Sequence, residues 1–256
     1  MDSLAPLFIV AGFAIIFVAI GIWTSRVQAQ RTRELEDFAA RTGLQMCDSG
    51  AFDAPYTSGF LSNLFSSPDY ADLGFIGRFA NFYPFGIGYD ERVRHLMIGT
   101  KDNTDWYFFD YYYTTGAGKS KTSHHFSILA ARVPYTFPKL SLKPENVLTK
   151  VGEHLGLHEL HFESNEFNQR YYITCDEEKE AYDILCPQVI DYMLQQPTRY
   201  WQLFSMYMMV VSYSPLRAED CYQFMGEVTG FLSKIPNYVR QDRGFQPKWT
   251  SAFEGP

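Results

Sequence analysis

Cysteine is scarce in this 256-residue sequence, and the four present, Cys47, Cys175, Cys186 and Cys221, never stand in CxxC spacing. Scattered thiols fit a reduced, cytoplasmic domain better than a disulfide scaffold, and none has neighbours that mark it as a nucleophile. No GxSxG elbow is present either, which removes the best-marked route to a serine nucleophile. Basic charge is also short: the net charge is −7, and residues 1 to 43 add nothing to it. There Asp2, Glu34, Glu36 and Asp37 balance Arg26, Arg31, Arg33 and Arg41. An acidic body without a basic stripe is a poor nucleic-acid binder, so nucleic acid is excluded as a partner.

Charge is absent altogether from Leu4 to Trp23, LAPLFIVAGFAIIFVAIGIW. As a helix this stretch is about 30 Å long, the thickness of a bilayer's hydrocarbon core. A cleaved signal peptide wants a basic start and a shorter apolar run, whereas this chain begins MDSL. The expectation is an uncleaved anchor in the inner membrane, with Leu7, Phe8, Phe13 and Phe17 in lipid and Trp23 at the interface. Arg26, Arg31 and Arg33 follow it and suit anionic headgroups. By the positive-inside rule they put the N-terminus outside and the remaining domain in the cytoplasm.

The segment GAGKS, residues 116 to 120, looks like the end of a phosphate-binding loop. The motif GxxxxGK[ST] needs a glycine five places before Gly118, and Tyr113 stands there. The flanks, DWYFFDYYYTT and TSHHFSILAARV, are strand-like on both sides, whereas a phosphate loop must open a helix. A hairpin with left-handed glycines accounts for the segment.

Histidines cluster in GEHLGLHELHFE, where His154, His158 and His161 stand among Glu153, Glu159 and Glu163. Gly156 breaks any helix between the first two, and HExH is one residue short of HExxH. On a strand His158 and His161 point to opposite faces, so surface histidines are expected and no metal or cofactor is assigned. His124 and His125, adjacent in a strand, also face opposite ways.

Along the chain, helical character continues to Thr42, with Leu35, Phe38 and Ala39 at helical spacing and Gly43 as C-cap. Residues 48 to 90 are rich in Gly, Ser, Pro and aromatics and read as irregular structure with short strands. Strands are expected in VRHLMIGT and the two aromatic runs, then an extended, proline-punctuated linker, VPYTFPKLSLKPENV. Pro144 and Glu145 suit a helix start, LHELHFE and RYYITC read as strands around a turn, SNEFNQ, and Asp176 is placed as the N-cap of the next helix. Pro187 opens a further helix, RYWQLFSMYMMVVSYS is a long strand or tight hairpin, and Ala218 to Ile235 a helix burying Cys221, Phe224, Met225, Val228, Phe231 and Leu232. The fold class is α+β: a transmembrane helix, then an antiparallel sheet covered by three or four helices. The divisions are a 1–24 anchor, a 25–43 helical stalk, a 44–240 domain and a 241–256 tail.

Aromatic weight is the remaining signature, with 22 Phe, 18 Tyr and 4 Trp. Much of it must be core, but Phe60, Leu61, Leu64 and Phe65 in one loop and Phe245, Trp249 and Phe253 in the tail are candidate partner contacts.

Four pieces together, ELEDFAARTGLQM after the anchor, the GT...WYFFDYYYTT hairpin, LSLKPENVLTKVG, and FESNEFNQRYYITCDEEKEAYDILCPQVIDYML, carry a family resemblance. The last holds Phe167, Asn168, Tyr171, Tyr172, Asp176, Ala181, Leu185 and Pro187 in the pattern. The chain resembles bacterial single-pass membrane proteins with a cytoplasmic domain of unknown function. The resemblance implies an anchored α+β domain and no catalytic residue. The functional expectation is a non-catalytic accessory or scaffolding subunit of an inner-membrane assembly, with lipids and other integral-membrane subunits as partners. The alternative is a tethered domain that binds a small ligand or lipid, or an enzyme of unrecognised type.

Overall fold

The structure, a computed structural model, describes residues 5–47, 74–145 and 158–242, without the side chains of 5–14, 17 and 240–242. In chain order the elements are α1 (Ala5–Thr42), β1 (Gln45–Cys47), α2 (Gly74–Gly77), β2 (Tyr89–Lys101), β3 (Thr104–Thr115), β4 (Thr122–Pro144), α3 (Asn165–Arg170), β5 (Tyr171–Cys175), α4 (Glu178–Ile184), α5 (Pro187–Leu194), β6 (Tyr200–Ser212), α6 (Ala218–Lys234) and α7 (Asn237–Asp242). The fold is α+β, with one six-stranded antiparallel sheet.

The 23-residue strand β4 organises the sheet. Its first half pairs β3, its second half pairs β5, and β6 runs along both. β2 and then β1 continue beyond β3. Alternation along β3 explains why its sequence is aromatic throughout: Trp106 and Phe108 face the helices, while Tyr107, Phe109, Tyr111 and Tyr113 face a second layer. A strand covered on both faces has no solvent side to mark with polar residues.

The two layers differ in kind. On one face Leu35, Phe38 and Ala39 of α1 pack with Ile184 of α4, Val189 of α5 and Phe224, Val228 and Phe231 of α6. On the other, the segment 74–88 folds back as a lid of rings centred on Phe79, which meets Phe75, Phe82, Phe85, Tyr107, Phe109 and Tyr207. Each buried ring contributes about 1.5–3 kcal/mol by leaving water, so the aromatic weight of the sequence is largely core.

Several expectations hold. Gly43, at φ 76°, ends α1, and Leu44 N–H bonds the Ala39 carbonyl at 2.9 Å. Gly116 (φ 77°) and Gly118 (φ 59°) turn the β3–β4 hairpin in left-handed conformations around a single 3₁₀ turn, Gly118–Ser120. Pro187 opens α5, and β6 is one strand rather than a hairpin. In α6, Cys221, Phe224, Val228 and Phe231 are buried, with Met225 and Leu232 partly so.

Others are corrected. The proline-punctuated linker is the second half of β4, because Pro134 and Pro138 fall where the ladder to β6 shifts register and no N–H is required. Pro144 ends that strand opposite Tyr171, and the residues after Glu145 on which a helix was expected lie outside the described residues. LHELHFE forms a single bridge, Glu159 to Thr174, instead of a strand. SNEFNQ is the short helix α3, capped where the Ser164 hydroxyl accepts from Phe167 N–H. Glu177, not Asp176, stands at the N-cap of α4; the Asp176 carboxylate accepts from Lys139 N–H at 2.8 Å and ties the helix start to β4.

Candidate functional site

Two places concentrate polar chemistry against this apolar frame: the junction where α1 leaves the sheet, and a cleft over β4, β5 and β6.

At the junction α1 divides into two parts. From Arg31 to Thr42 one stripe packs on the sheet, whereas 18–30 are exposed. Ile15 (70% exposed), Ile16, Val18, Ile20, Ile22 and Trp23 (67%) therefore stand as an exposed apolar stretch of helix. Among the described residues no helix is long and apolar enough to cross a membrane. The run from Leu4 to Trp23 lies only partly within them, since the side chains of Leu7, Phe8, Phe13 and Phe17 fall outside.

The two parts meet at Asp110 of β3, whose side chain has 0% exposure. It shares the parity of Trp106 and Phe108 and so points towards the helices. Five donors reach its carboxylate. Arg31 Nη2 of α1 forms the ion pair. His95 Nδ1 lies at 2.9 Å, His125 Nε2 at 3.2 Å, Ser127 Oγ at 2.9 Å and Leu216 N–H at 3.3 Å. Arg31 Nε also donates to the Leu216 carbonyl at 2.7 Å, which joins helix, sheet and the β6–α6 connection in one knot.

His95 reaches Asp110 because β2 bulges between Arg94 and Met97, and the bulge holds His95 at φ 51°. His125 is placed by stacking on Tyr112, centroids 4.5 Å apart, and the Arg94 guanidinium covers the Tyr112 ring at 5.4 Å. Burial alone would push the Asp110 carboxyl up; the hydrogen bonds from His125 and His95 and the charge of Arg31 outweigh it and hold the group well below the usual carboxylate range.

Both histidines and the Ser127 hydroxyl converge on the carboxylate, and Ser127 Oγ also donates to the Ser214 carbonyl at 2.7 Å. Thr32 Oγ1 of α1 lies 3.3 Å from His95 Nε2, so His95 stands between a hydroxyl and a carboxylate, the order that a catalytic triad also uses. That hydroxyl donates to the Gln28 carbonyl at 3.0 Å within its own helix, and the knot as a whole ties α1 to the sheet. Among the described residues no three His, Cys, Asp or Glu side chains are arranged to hold a metal ion.

The cleft, of about 230 Å³, lies on the opposite face, with the 80–87 segment as one wall. Gln202 fixes that wall: its side-chain oxygen accepts from Tyr83 N–H and its amide donates to the Tyr83 carbonyl, both at 2.8 Å. Lys139, Ser141 and Lys143 of β4, with Tyr172 and Thr174 of β5, line the floor beside Tyr200 of β6. The Lys143 ammonium stands 5.7 Å from the Tyr200 ring centroid.

The residues singled out in the sequence are distributed differently. Of the arginines expected beside lipid, Arg26 and Arg33 are exposed, but Arg31 is committed to Asp110 and is not available to headgroups. His124 faces the aromatic layer, stacked on Tyr113 and 2.8 Å from Thr115 Oγ1, and His125 faces the opposite way. His158 and His161 are exposed, His161 Nε2 lying 3.9 Å from Glu159. His154, the loop residues Phe60, Leu61, Leu64 and Phe65, and the tail residues Phe245, Trp249 and Phe253 lie outside the described residues. The sequence reading passed over Asp110, although one acid inside an otherwise aromatic buried strand is itself the signal that a partner must be found for it.

Fold and junction together define an α+β domain built around a long antiparallel strand and locked to the end of a projecting helix. No family model matches the chain, and no curated protein matches it. A solved structure with similarity is the crystal structure of the mycobacterial trehalose monomycolate transport factor A, TtfA. It is 8% identical, covers 80% of this chain and 96% of its own, and has a TM-score of 0.44. A likeness of that degree carries no argument about what this chain does.

Proposed function

We propose that this chain is a non-catalytic accessory or scaffolding subunit of a bacterial inner-membrane assembly. In this reading α1 enters the membrane with its N-terminus outside, and the α+β domain stands in the cytoplasm. The supporting observation is the division of α1. The described side chains from Ile15 to Trp23 are apolar and exposed, and the turns from Arg31 onward are fixed to the sheet by the ion pair of Arg31 with the fully buried Asp110 carboxylate. Large apolar helix surface left uncovered by its own chain needs lipid or another protein to cover it. The rigid junction then sets where the domain is held relative to that cover.

The test is affinity purification of the tagged full chain after extraction in an uncharged detergent, with mass spectrometry of what accompanies it. Stoichiometric integral-membrane subunits are expected, and fewer of them when residues 245–256 are removed. A chain recovered alone from intact membranes, with or without the tail, overturns the reading. A reporter active only outside the cytoplasm, fused to the C-terminus, should stay silent.

A further inference from the structure

The net charge of the protein is −7, yet residues 111–125, around the tip of the β3–β4 hairpin, hold Lys119 and Lys121 and no Asp or Glu. Both lysines are exposed. Beside them on β2, Arg92 pairs with Asp90 at 2.9 Å, Arg94 covers the Tyr112 ring, and Glu91 lies next to Tyr111. The tip is held in shape: the Tyr89 hydroxyl donates to the Gly116 carbonyl at 2.9 Å, and the Lys121 ammonium stands 5.8 Å from the centroid of the same ring. Tyr89 (44% exposed) and Ile87 (42%) are large apolar side chains left in water, and Gly88 between them lies against Tyr113 and Thr114, which puts both at the hairpin end of the sheet.

The direction of the hairpin is fixed by what α1 touches. Going backwards from Leu44 into α1, Leu44 lies against Gly99, Phe38 meets Phe108, Thr32 reaches His95 and Arg31 reaches Asp110. The contacts move backwards along β2 and forwards along β3, so the hairpin leaves the knot on the side on which the apolar part of α1 leaves it. From Asp110 to Gly118 the chain covers about 26 Å of strand and turn, and from Arg31 back to Trp23 about 12 Å of helix. Strands inclined to the helix by as much as about 60° still bring the tip to the level of Trp23.

We propose that the tip of the β3–β4 hairpin is a second membrane contact, which rests on anionic phospholipid headgroups. The inference depends on the reading of α1 as a membrane helix and adds the surface that the domain turns to the bilayer. A lipid surface asks only that the ammonium groups of Lys119 and Lys121 lie on its side, since each meets a different headgroup. Tyr89 is of the residue type that settles at the boundary between lipid and water, and Ile87 adds a short apolar side chain beside it. The remaining surface carries the acidic excess and is repelled by the same headgroups, so charge turns this end of the domain to the bilayer.

The experiment reads the depth of a nitroxide attached at Ala117→Cys in the full chain, with Cys47→Ser removing the one thiol that is not buried. The chain is held in nanodiscs of phosphatidylcholine containing phosphatidylglycerol, and in nanodiscs of phosphatidylcholine alone. A label at Lys101→Cys, exposed at the opposite end of β2, is the reference for water. The label at 117 is expected at headgroup depth in the anionic discs and in water in the uncharged ones, and high salt should release it. Lys119→Gln and Lys121→Gln, at exposed positions where the fold is not at stake, should each lower the ratio of docked to undocked label about fivefold. A chain that stays out of the nanodiscs overturns the reading of α1, and this proposal with it. A chain held in the discs whose label at 117 is as accessible to water as the label at 101 overturns the proposal alone. Equal docking on both lipids, or docking unchanged in both lysine variants, does the same.

Discussion

Asp110 shows what one residue contributes here. A carboxylate with no exposed surface has lost its hydration, and it is tolerable only because Arg31, His95, His125, Ser127 and the Leu216 N–H replace the water. Removing one partner of such a pair costs about 3–5 kcal/mol because the other charge remains buried. Asp110→Asn should therefore lower stability by an amount of that order in urea unfolding of the full chain in detergent. A loss under about 1 kcal/mol, the worth of a surface pair, would mean the knot is loose. The sign of the pH dependence follows from the held-down carboxyl. Its stabilisation is fully present above the unfolded pKa of about 3.9 and is lost as pH falls through the folded value. Glu227 of α6, paired with Arg199 at 3.0 Å, behaves in the opposite way. Burial pushes its carboxyl up, so its contribution is full below its unfolded pKa and is lost as pH rises through the folded one. Melting temperatures across the acid range should fall below pH 4 in the parent and flatten there in Asp110→Asn, while Glu227→Gln leaves that acid limb intact.

At the level of elements, the docking of α1 rests on few side chains. Leu35 and Phe38 are fully buried, and the Phe38 ring meets Phe108 of β3 and Tyr222 of α6 edge-on. Phe38→Ala should cost about 3–5 kcal/mol and free the docked turns first. Hydrogen exchange of residues 31–42 should then rise well above that of β3 and β4; uniform acceleration would show instead that helix and sheet unfold as one unit. The β3–β4 hairpin depends on Gly116 in the same local way. A side chain there would be strained at φ 77° and would strike the Ser120 carbonyl, so Gly116→Ala should cost about 1–2 kcal/mol by thermal melting. Such elements were legible in the sequence because their signals are local. Helical spacing at Leu35, Phe38 and Ala39, paired aromatic runs and glycines between them all lie within a few residues of one another. The second half of β4 was not legible, since Pro134 and Pro138 read as breakers until the bulges beside them are seen. Nor was the Asp110 knot, because Arg31 and Asp110 are 79 positions apart and Arg31 by itself resembles any basic residue after an apolar helix. The cleft was hidden for the same reason, its floor being shared by three strands that are distant in the chain.

For the whole molecule, the length of α1 sets a distance. Thirty-eight helical residues extend about 57 Å. If Leu4 to Trp23 fills the hydrocarbon core, the eight residues from Trp23 to Arg31 leave about 12 Å between the lipid boundary and the sheet, roughly the headgroup layer and a little more. The domain would then stand just below the headgroups, at a height fixed by a continuous helix and by the Asp110 knot rather than by a flexible linker. Height becomes a property that can be changed without touching either end. Inserting seven helix-forming residues between Val27 and Gln28 adds about 10 Å and, at 3.6 residues per turn, nearly restores the facing of the domain. Membrane attachment and melting temperature should stay as in the parent, because neither the apolar run nor the docked stripe is altered. Recovery of partner subunits should fall, because a domain held at the wrong height cannot meet a neighbour's cytoplasmic surface while its helix meets the same neighbour in lipid. Replacing Leu4 to Trp23 by an unrelated apolar helix of equal length separates the two contacts. Partners lost on replacement but kept on insertion would place recognition in the membrane alone, and partners lost on insertion but kept on replacement would place it on the domain. Full recovery in both variants would mean that neither the helix nor the spacing selects a partner, and the scaffold reading would fall with it.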